Sequence, residues 1–332
     1  MRFCKIRHVL RPSPCPPLVT TIRAAVVQTF VPRDLADGLA IAALQTAKAA
    51  AEGAALVVFP ETWLPGYPIW LDVCRDAALW DHPPVKAVFR RLAEQSVAVP
   101  GDATDALARI ARENAVTLVI GISERVDKGR GRGTLYNSVL TFGPSGALLN
   151  HHRKLMPTYT ERMVWGAGDA DGLRGVNAAG TRIGALVCWE HWMPLARQAL
   201  HDSGEDVHAA LWPTVHDMHQ VASRHYAFEG RCFVLAAGSL MRAADLPSEL
   251  EPHASKVASD SQFVMRGGSA IIAPDGAYLA GPLFEEEAVL VATLDLDRVR
   301  EERMTLDVSG HYNRPELLAL HVQRGGRAFT GD

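Results

Sequence analysis

The run Ala55-Leu56-Val57-Val58-Phe59 is apolar throughout and stops at Pro60. A strand with no polar side must be covered on both faces, as the inner strands of a sheet held between layers are. Upstream, Ile22-Arg23-Ala24-Ala25-Val26-Val27-Gln28 reads as a first strand. Between the two strands Asp34 is placed to cap a helix, Leu35, Leu39, Ala42, Ala43, Thr46 and Ala50 recur at helical spacing through Glu52, and Gly53 ends it. The alternation continues, with helices expected at Val85–Ala98 and Thr104–Asn114 before a strand at Val116–Ile122. Thr181–Val187, Val207–Leu211, Phe233–Ala237 and Val289–Leu294 read as further strands. Helices are expected from Pro194 to about Ser203, around Val221–Arg231 and near Asp297–Met304. Alternating strands and helices define an α/β class. Strands Tyr136–Phe142 and Ala147–Lys154 flank Gly143-Pro144-Ser145-Gly146, and Ser269–Ala273 and Ala277–Ala280 flank Pro274-Asp275-Gly276. The repeated strand–turn–strand device suggests two related halves packed sheet against sheet.

Composition sets the outer limits. With 48% apolar and 21% charged residues in 332, the chain can bury a large core, and one large domain over 21–308 is expected. Residues 1–20 carry Arg2, Lys5, Arg7 and Arg11 and then Pro12-Ser13-Pro14-Cys15-Pro16-Pro17, which reads as a disordered extension without the apolar core of a secretory signal. The helical signal weakens from Ser309, so 309–332 is expected to be a tail with a part in assembly. Thirty-four basic and 37 acidic side chains are spread along the chain, for a net charge of −3. No basic face offers itself to nucleic acid or an anionic membrane, and no apolar run approaches the roughly 20 residues of a membrane helix. A small-molecule substrate is the partner this leaves. Cys4, Cys15, Cys74, Cys188 and Cys232 are odd in number and irregular in spacing, which argues against a disulfide framework and for the cytoplasm.

Three strand ends carry the chemistry, as open α/β sheets place it beyond the carboxyl ends of their strands. Cys188 closes an apolar strand directly before Trp189-Glu190-His191-Trp192 and a proline-started helix. Such a cysteine is either a small apolar core residue or a nucleophile on an elbow whose backbone N–H groups stabilise thiolate and oxyanion. Glu61, in Phe59-Pro60-Glu61-Thr62, is followed by Trp63, Pro65, Tyr67, Pro68 and Trp70. That dry surround would raise a carboxyl pKa and suit a general base. Lys154 ends His151-His152-Arg153-Lys154, either as part of a basic surface tetrad or as a fixed cation over a developing anion. Trp165, Trp189 and Trp192 read equally as core aromatics or as pocket lining. His216-Asp217-Met218-His219 lacks a third convergent ligand for a metal, and no Gly-x-Gly-x-x-Gly or Walker segment supports nucleotide binding.

Glu, Lys and Cys in this order resemble the nitrilase branch of the carbon–nitrogen hydrolase superfamily. The resemblance runs from Ile22 to Leu317 through Val58-Phe59-Pro60-Glu61, Pro65-Gly66-Tyr67-Pro68, His152-Arg153-Lys154-Leu155-Met156-Pro157-Thr158, Glu161-Arg162, Trp165-Gly166, Gly168-Asp169 and Cys188-Trp189-Glu190. It continues in Met193-Pro194-Leu195-Ala196-Arg197, in 223–231 and in Gly310-His311-Tyr312-Asn313-Arg314-Pro315. It implies an αββα four-layer sandwich, pairing through the Cys-bearing face, and homo-oligomers that extend into spirals. It also implies Cys188 as nucleophile, Glu61 as general base, Lys154 as stabiliser of the tetrahedral intermediate and Glu161 as a second carboxylate nearby. Tyr67, Trp165, Trp189, His191 and Trp192 are the expected substrate contacts; His191 stands where many nitrilases carry Asn. The implied reaction converts a nitrile and water to carboxylic acid and ammonia through a thioimidate and a thioester, without cofactor or metal. The alternatives are an amidase or cyanide-converting enzyme of the same superfamily and a non-catalytic assembly protein.

Overall fold

A computed structural model describes residues 20–325, so the proline-rich start and residues 326–332 lie outside the described residues. The first half runs β1 (Thr21–Gln28), α1 (Leu35–Ala51), β2 (Leu56–Val58), α2 (Trp70–Val73), α3 (Pro83–Gln95), β3 (Val97–Ala98), α4 (Asp102–Glu113), β4 (Thr117–Arg125), β5 (Leu135–Phe142) and β6 (Leu148–Arg153). The second runs β7 (Val176–Ala178), β8 (Thr181–Val187), α5 (Pro194–Asp202), β9 (Val207–Leu211), α6 (Asp217–Gly230), β10 (Phe233–Ala237), β11 (Leu240–Arg242), β12 (Phe263–Ile272), β13 (Tyr278–Phe284), β14 (Ala288–Asp295) and α7 (Asp297–Glu302). Asp34 caps α1 as its position suggests, its side chain accepting the Asp37 N–H at 2.8 Å.

The strands form two sheets, ordered β14-β1-β2-β4-β5-β6 and β11-β12-β10-β9-β8-β7, with β3 beside β4 and β13 beside β12. In the first sheet β1, β2 and β4 run parallel and β5 and β6 return antiparallel. In the second, β8, β9 and β10 run parallel and β12 and β13 return antiparallel. The two strand–turn–strand units therefore occupy equivalent places in two halves of the same strand order. An antiparallel strand is added at the outer side of each leading strand, β14 on β1 and β7 on β8.

Alternation along the strands fixes the layers. Ala24, Val26, Leu56, Val58 and Val119 of the first sheet join one buried cluster with Ile183, Ala185 and Val187 of β8. Ala25, Val27, Val57, Leu118 and Ile120 point the other way, against Ala42 and Ala49 of α1 and Leu107, Ile110 and Ala111 of α4. The far face of the second sheet is covered by Ala196, Ala199 and Leu200 of α5 and by Ala222, Tyr226 and Ala227 of α6. The result is the αββα sandwich, with β2 buried on both faces. Fully burying a side chain the size of Val or Leu contributes about 1.5–3 kcal/mol, which is why that strand carries no polar residue.

Three departures from the sequence reading have local causes. The helix expected to Ala98 stops at Gln95, because Val97 and Ala98 pair with Glu124 and Arg125 of the long strand β4. The helix expected from Val221 begins at Asp217, so the His216–His219 segment is a helix start. The strand expected at Ser269 begins six residues earlier, at Phe263. Gly267 and Gly268, at φ 76° and 82°, carry β12 through an irregularity that reads in sequence as a break. The tail from 309 holds no helix or strand among the described residues, yet Leu320 and Val322 pack on the core and Arg324 donates to Leu173 O at 3.0 Å.

Candidate active site

Glu61, Lys154 and Cys188 follow the carboxyl ends of β2, β6 and β8, and the sandwich brings those ends together. Glu61 is tied across the sheets by its N–H, which donates to Trp212 O at 3.2 Å. The chain at this point lies directly on Gly121 of β4, where a Cβ would stand 2.3 Å from Pro60 O and 2.8 Å from Glu61 Cα. Only glycine leaves room for that approach. Lys154 N–H donates to Asn137 O at 2.7 Å, and the Asn137 amide in turn donates to Glu61 Oε1 at 2.6 Å.

Lys154 Nζ lies between two carboxylates, donating to Glu61 Oε1 at 3.0 Å and to Glu161 Oε1 and Oε2 at 2.9 and 2.7 Å. Glu161 sits on the 3-10 turn Tyr159–Met163, where it also accepts the Thr158 N–H at 2.7 Å and the Tyr67 hydroxyl at 2.9 Å. Glu61, Lys154 and Glu161 are each 0–1% exposed. An oxygen of Glu61, an oxygen of Glu161 and Cys188 Sγ all lie within 4.8 Å of one another. That set could ligate a cation by composition, but the lysine ammonium already bonds both carboxylates and supplies the positive charge there.

Cys188 opens the 3-10 turn Cys188–Trp192 with φ 51°, a left-handed conformation that costs a non-glycine residue of order 1–3 kcal/mol. Glu190 holds this elbow from behind. Its buried carboxylate accepts the N–H groups of Val187 and Leu155, each at 2.8 Å, and lies 3.0 Å from His152 Nε2. One side chain thereby clamps the end of β8 to the residue after Lys154.

The electrostatics follow from burial. Desolvation raises Glu61 to about 7; Lys154 opposes the shift and Glu161 adds to it. Burial would lower Lys154, but Glu61, Cys188 and Glu161 outweigh it and hold the ammonium well above the usual lysine range. Desolvation, then Glu61, pushes the Cys188 thiol up, with Lys154 opposing. The resting site therefore pairs a protonated thiol with a carboxyl poised near neutrality, and Glu61 Oε2 has no hydrogen-bond partner among the described residues.

A cavity of about 780 Å³ opens over Cys188, lined among others by Tyr67, Glu161, Trp189, Trp192, His216 and His219. Trp165 and His191, expected at the substrate, are not on that wall. Trp165 lies against Tyr67, with ring centroids 5.9 Å apart, and donates to Ser123 Oγ at 3.1 Å. His191 is buried behind the elbow, stacked on Trp212 at 4.7 Å. Both rings back up the wall, because alternation along a turn sends only some of its residues to the cavity. Asn137 and the clamp role of Glu190 were missed; a lone Asn inside the strand Leu135–Phe142 was the available signal. Cys74, Cys188 and Cys232 are free thiols.

Cys188 on a strained elbow, the raised carboxyl of Glu61 and the buried ammonium of Lys154 meet at the strand ends of an αββα sandwich. The carbon–nitrogen hydrolase family matches residues 23–304, and the chain belongs to it. It is 39% identical over 287 residues to a nitrilase from Paraburkholderia phymatum, covering 83% of this chain and 78% of that one. An aliphatic nitrilase from Sinorhizobium fredii is 38% identical over 311 residues, 92% of this chain and 96% of the relative. A bifunctional nitrilase/nitrile hydratase from Lupinus angustifolius is 39% identical over 312 residues, 91% and 86% of the two chains. Among solved structures, a carbon-nitrogen hydrolase from Helicobacter pylori superposes with TM-score 0.67 at 19% identity, covering 86% of this chain and 93% of that one. No helix among the described residues is long and apolar enough to cross a membrane.

Proposed function

We propose that this hydrolase acts on nitriles, with Cys188 as nucleophile, Glu61 as general base and acid, Lys154 as electrostatic stabiliser and Glu161 as the carboxylate that orients it. The observation that carries the reading is the meeting of a Cys188 sulfur with two carboxylates within 4.8 Å, around a lysine bonded to both. Glu61 takes the thiol proton as sulfur attacks the nitrile carbon, and returns it to nitrogen to give the thioimidate. Water adds to that carbon, its proton passing through Glu61 to the amine. The hydroxyl proton follows by the same route as the carbonyl forms, so ammonia leaves and a thioester remains. A second water, deprotonated by Glu61, displaces the sulfur, releases the acid and restores the thiol. Lys154 and the Trp189 N–H face the charge that each addition develops.

The tetrahedral species formed from the thioimidate has two exits, since expulsion of sulfur instead of nitrogen yields the amide. Glu61 delivering a proton to nitrogen, with Glu161 close by to favour positive charge, selects ammonia. A preference of about 1.4 kcal/mol gives about a tenfold product ratio. The test is a nitrile panel read by ammonia, acid and amide, with the matched amides run alongside and Cys188→Ala as control. Acid and ammonia should dominate. Predominant amide would mark a hydratase, faster amide turnover an amidase, and turnover by Cys188→Ala would end the covalent reading.

Self-association through the Cys-bearing face is part of the proposal. Leu195 of α5 and Met218 and Val221 of α6 are 68%, 61% and 51% exposed, an apolar outer face beside the cavity mouth. Light scattering should find a dimer or larger, with particle size changed by truncation at Ser309. A stable active monomer would contradict it. The free thiols suit a reducing compartment such as the cytoplasm.

A further inference from the structure

Behind Cys188, away from the cavity, lies a buried chain of titratable side chains that the proposed chemistry does not use. His191 Nδ1 is 2.7 Å from Cys188 O, and His191 Nε2 is 3.0 Å from His208 Nε2. His208 Nδ1 is 2.9 Å from Glu205 Oε2, and the Tyr226 hydroxyl donates to Glu205 Oε1. All four side chains are 0–1% exposed. The rings are locked by stacking, His191 on Trp212 and His208 on Tyr226, with centroids 4.7 and 3.8 Å apart. Gly184 of β8 makes room for the carboxylate, since a Cβ there would stand 1.7 Å from Glu205 Oε2. At the other end of the turn Arg197 donates to His191 O at 3.1 Å.

Counting protons assigns the donors. The carbonyl–imidazole, imidazole–imidazole and imidazole–carboxylate contacts each need one proton, and two neutral imidazoles supply only two. The third belongs to the contact between His208 Nδ1 and Glu205 Oε2. Cys188 O can only accept, so His191 carries its proton on Nδ1. Burial, and then His208, keep His191 well below the usual histidine range, so its Nε2 accepts. His208 therefore donates to it from its own Nε2. Burial would raise Glu205, but His208 and His201 bring it down to about 2, which leaves it a carboxylate. Donation along the chain therefore runs from His208 through His191 to the Cys188 carbonyl, while Glu205 accepts from Tyr226 at the far end.

That carbonyl shares one planar peptide with the Trp189 N–H, and the two dipoles point opposite ways. A donor on the oxygen both fixes the plane and strengthens the N–H, because chained hydrogen bonds polarise one another. We infer that Glu205, His208 and His191 form a relay of positioning residues that aims and polarises the Cys188–Trp189 peptide, so that its N–H meets the charge developing on the substrate. The inference rests on the hydrolytic reading above in giving the Trp189 N–H that task.

The test separates oxyanion stabilisation from general support of the elbow. His191→Phe keeps a ring on Trp212 but loses the donor. It should lower kcat at least about tenfold and leave KM within about twofold, since the lost interaction belongs to the transition state. Alkylation of Cys188 by iodoacetamide, which forms no oxyanion, should stay within about twofold of the parent rate. His191→Asn, whose amide nitrogen reaches the Nδ1 position, should recover kcat to within about threefold. His208→Asn, too short to reach His191, should lower kcat in the parent but not in the His191→Asn background, where the donor needs no relay; His208→Gln keeps a donor at Nε2 and should retain the rate. An unchanged kcat for His191→Phe, a parallel fall in kcat and alkylation, or an equal cost of His208→Asn in both backgrounds would each overturn the relay. Nitrogen-15 NMR of the unsubstituted protein decides the same point without any substrate or variant. His191 should carry its proton on Nδ1 and His208 a proton on Nε2, and a His208 without a proton on Nε2 refutes the relay even if nitriles prove not to be the substrates.

Discussion

Replacing Lys154 by Met tests the charge arrangement of the site quantitatively. Methionine fills the lysine volume without its charge, and leaves Glu61 and Glu161 buried with oxygens within 4.8 Å of each other. Two unit charges at that spacing repel by about 3–4 kcal/mol at an effective dielectric of about 20. Breaking a buried ion pair from one side costs about 3–5 kcal/mol, so the two routes agree. The protein relieves the repulsion by binding a proton. Glu61, already raised to about 7, must rise further without its cation. A carboxyl raised on folding destabilises the native state increasingly as pH climbs from its unfolded value to its folded one. The gap between parent and variant should therefore widen from pH 6 to pH 8.5, when both are unfolded in urea at the two pH values. Ammonia release should fall about 10²–10³-fold, the usual cost of losing one donor to a developing anion. A variant as stable as the parent at both pH values would refute the buried, charged carboxylate pair, and one retaining a tenth of the rate would refute the role given to Lys154.

Because Glu61 must be ionised to take the thiol proton, kcat/KM should fall as pH drops through about 7, and Glu61→Gln should abolish turnover at every pH; a rate flat from pH 5 to 8 contradicts the assignment. Gly121→Ala would push its Cβ against Pro60 O and Glu61 Cα, backbone atoms that cannot move aside, so activity should be lost well beyond any loss in Tm. Full activity in that variant would mean that Glu61 does not need its present position. Glu190→Gln keeps the volume of the clamp but weakens three hydrogen bonds to its carboxylate. It should destabilise by about 1–3 kcal/mol in urea and slow alkylation of Cys188, while parent-like values for both would remove Glu190 from the support of the elbow.

The layer architecture was legible because it rests on burial: β2 shows no polar face, and alternation along β1 and β4 marks two opposed coverings. Glu61, Lys154 and Cys188 were legible because each ends a strand, and strand ends are readable from an apolar run and its stop. Which neighbours complete the site was not. Asn137 reaches Glu61 from a residue 76 positions away, and Glu190 clamps two strands that only tertiary packing brings together. His191 and Trp165 show the same limit from the other side, since one rotation of a turn decides whether a ring faces the cavity or the core. The glycine-interrupted strand β12 was truncated in the reading because a bulge and a break look alike in sequence.

The most direct measurement is mass spectrometry of the protein quenched in acid during turnover of a nitrile. In the proposed cycle the Cys188 thiol leaves its proton with Glu61 and forms a carbon–sulfur bond. Peptide mapping should therefore find the acyl group of the substrate on the peptide carrying Cys188, and on neither Cys74 nor Cys232. The adduct should carry one oxygen-18 when the reaction is run in labelled water, since the thioester oxygen comes from solvent. Steady turnover with Cys188 unmodified at every quench time, together with an active Cys188→Ala protein, would contradict the account.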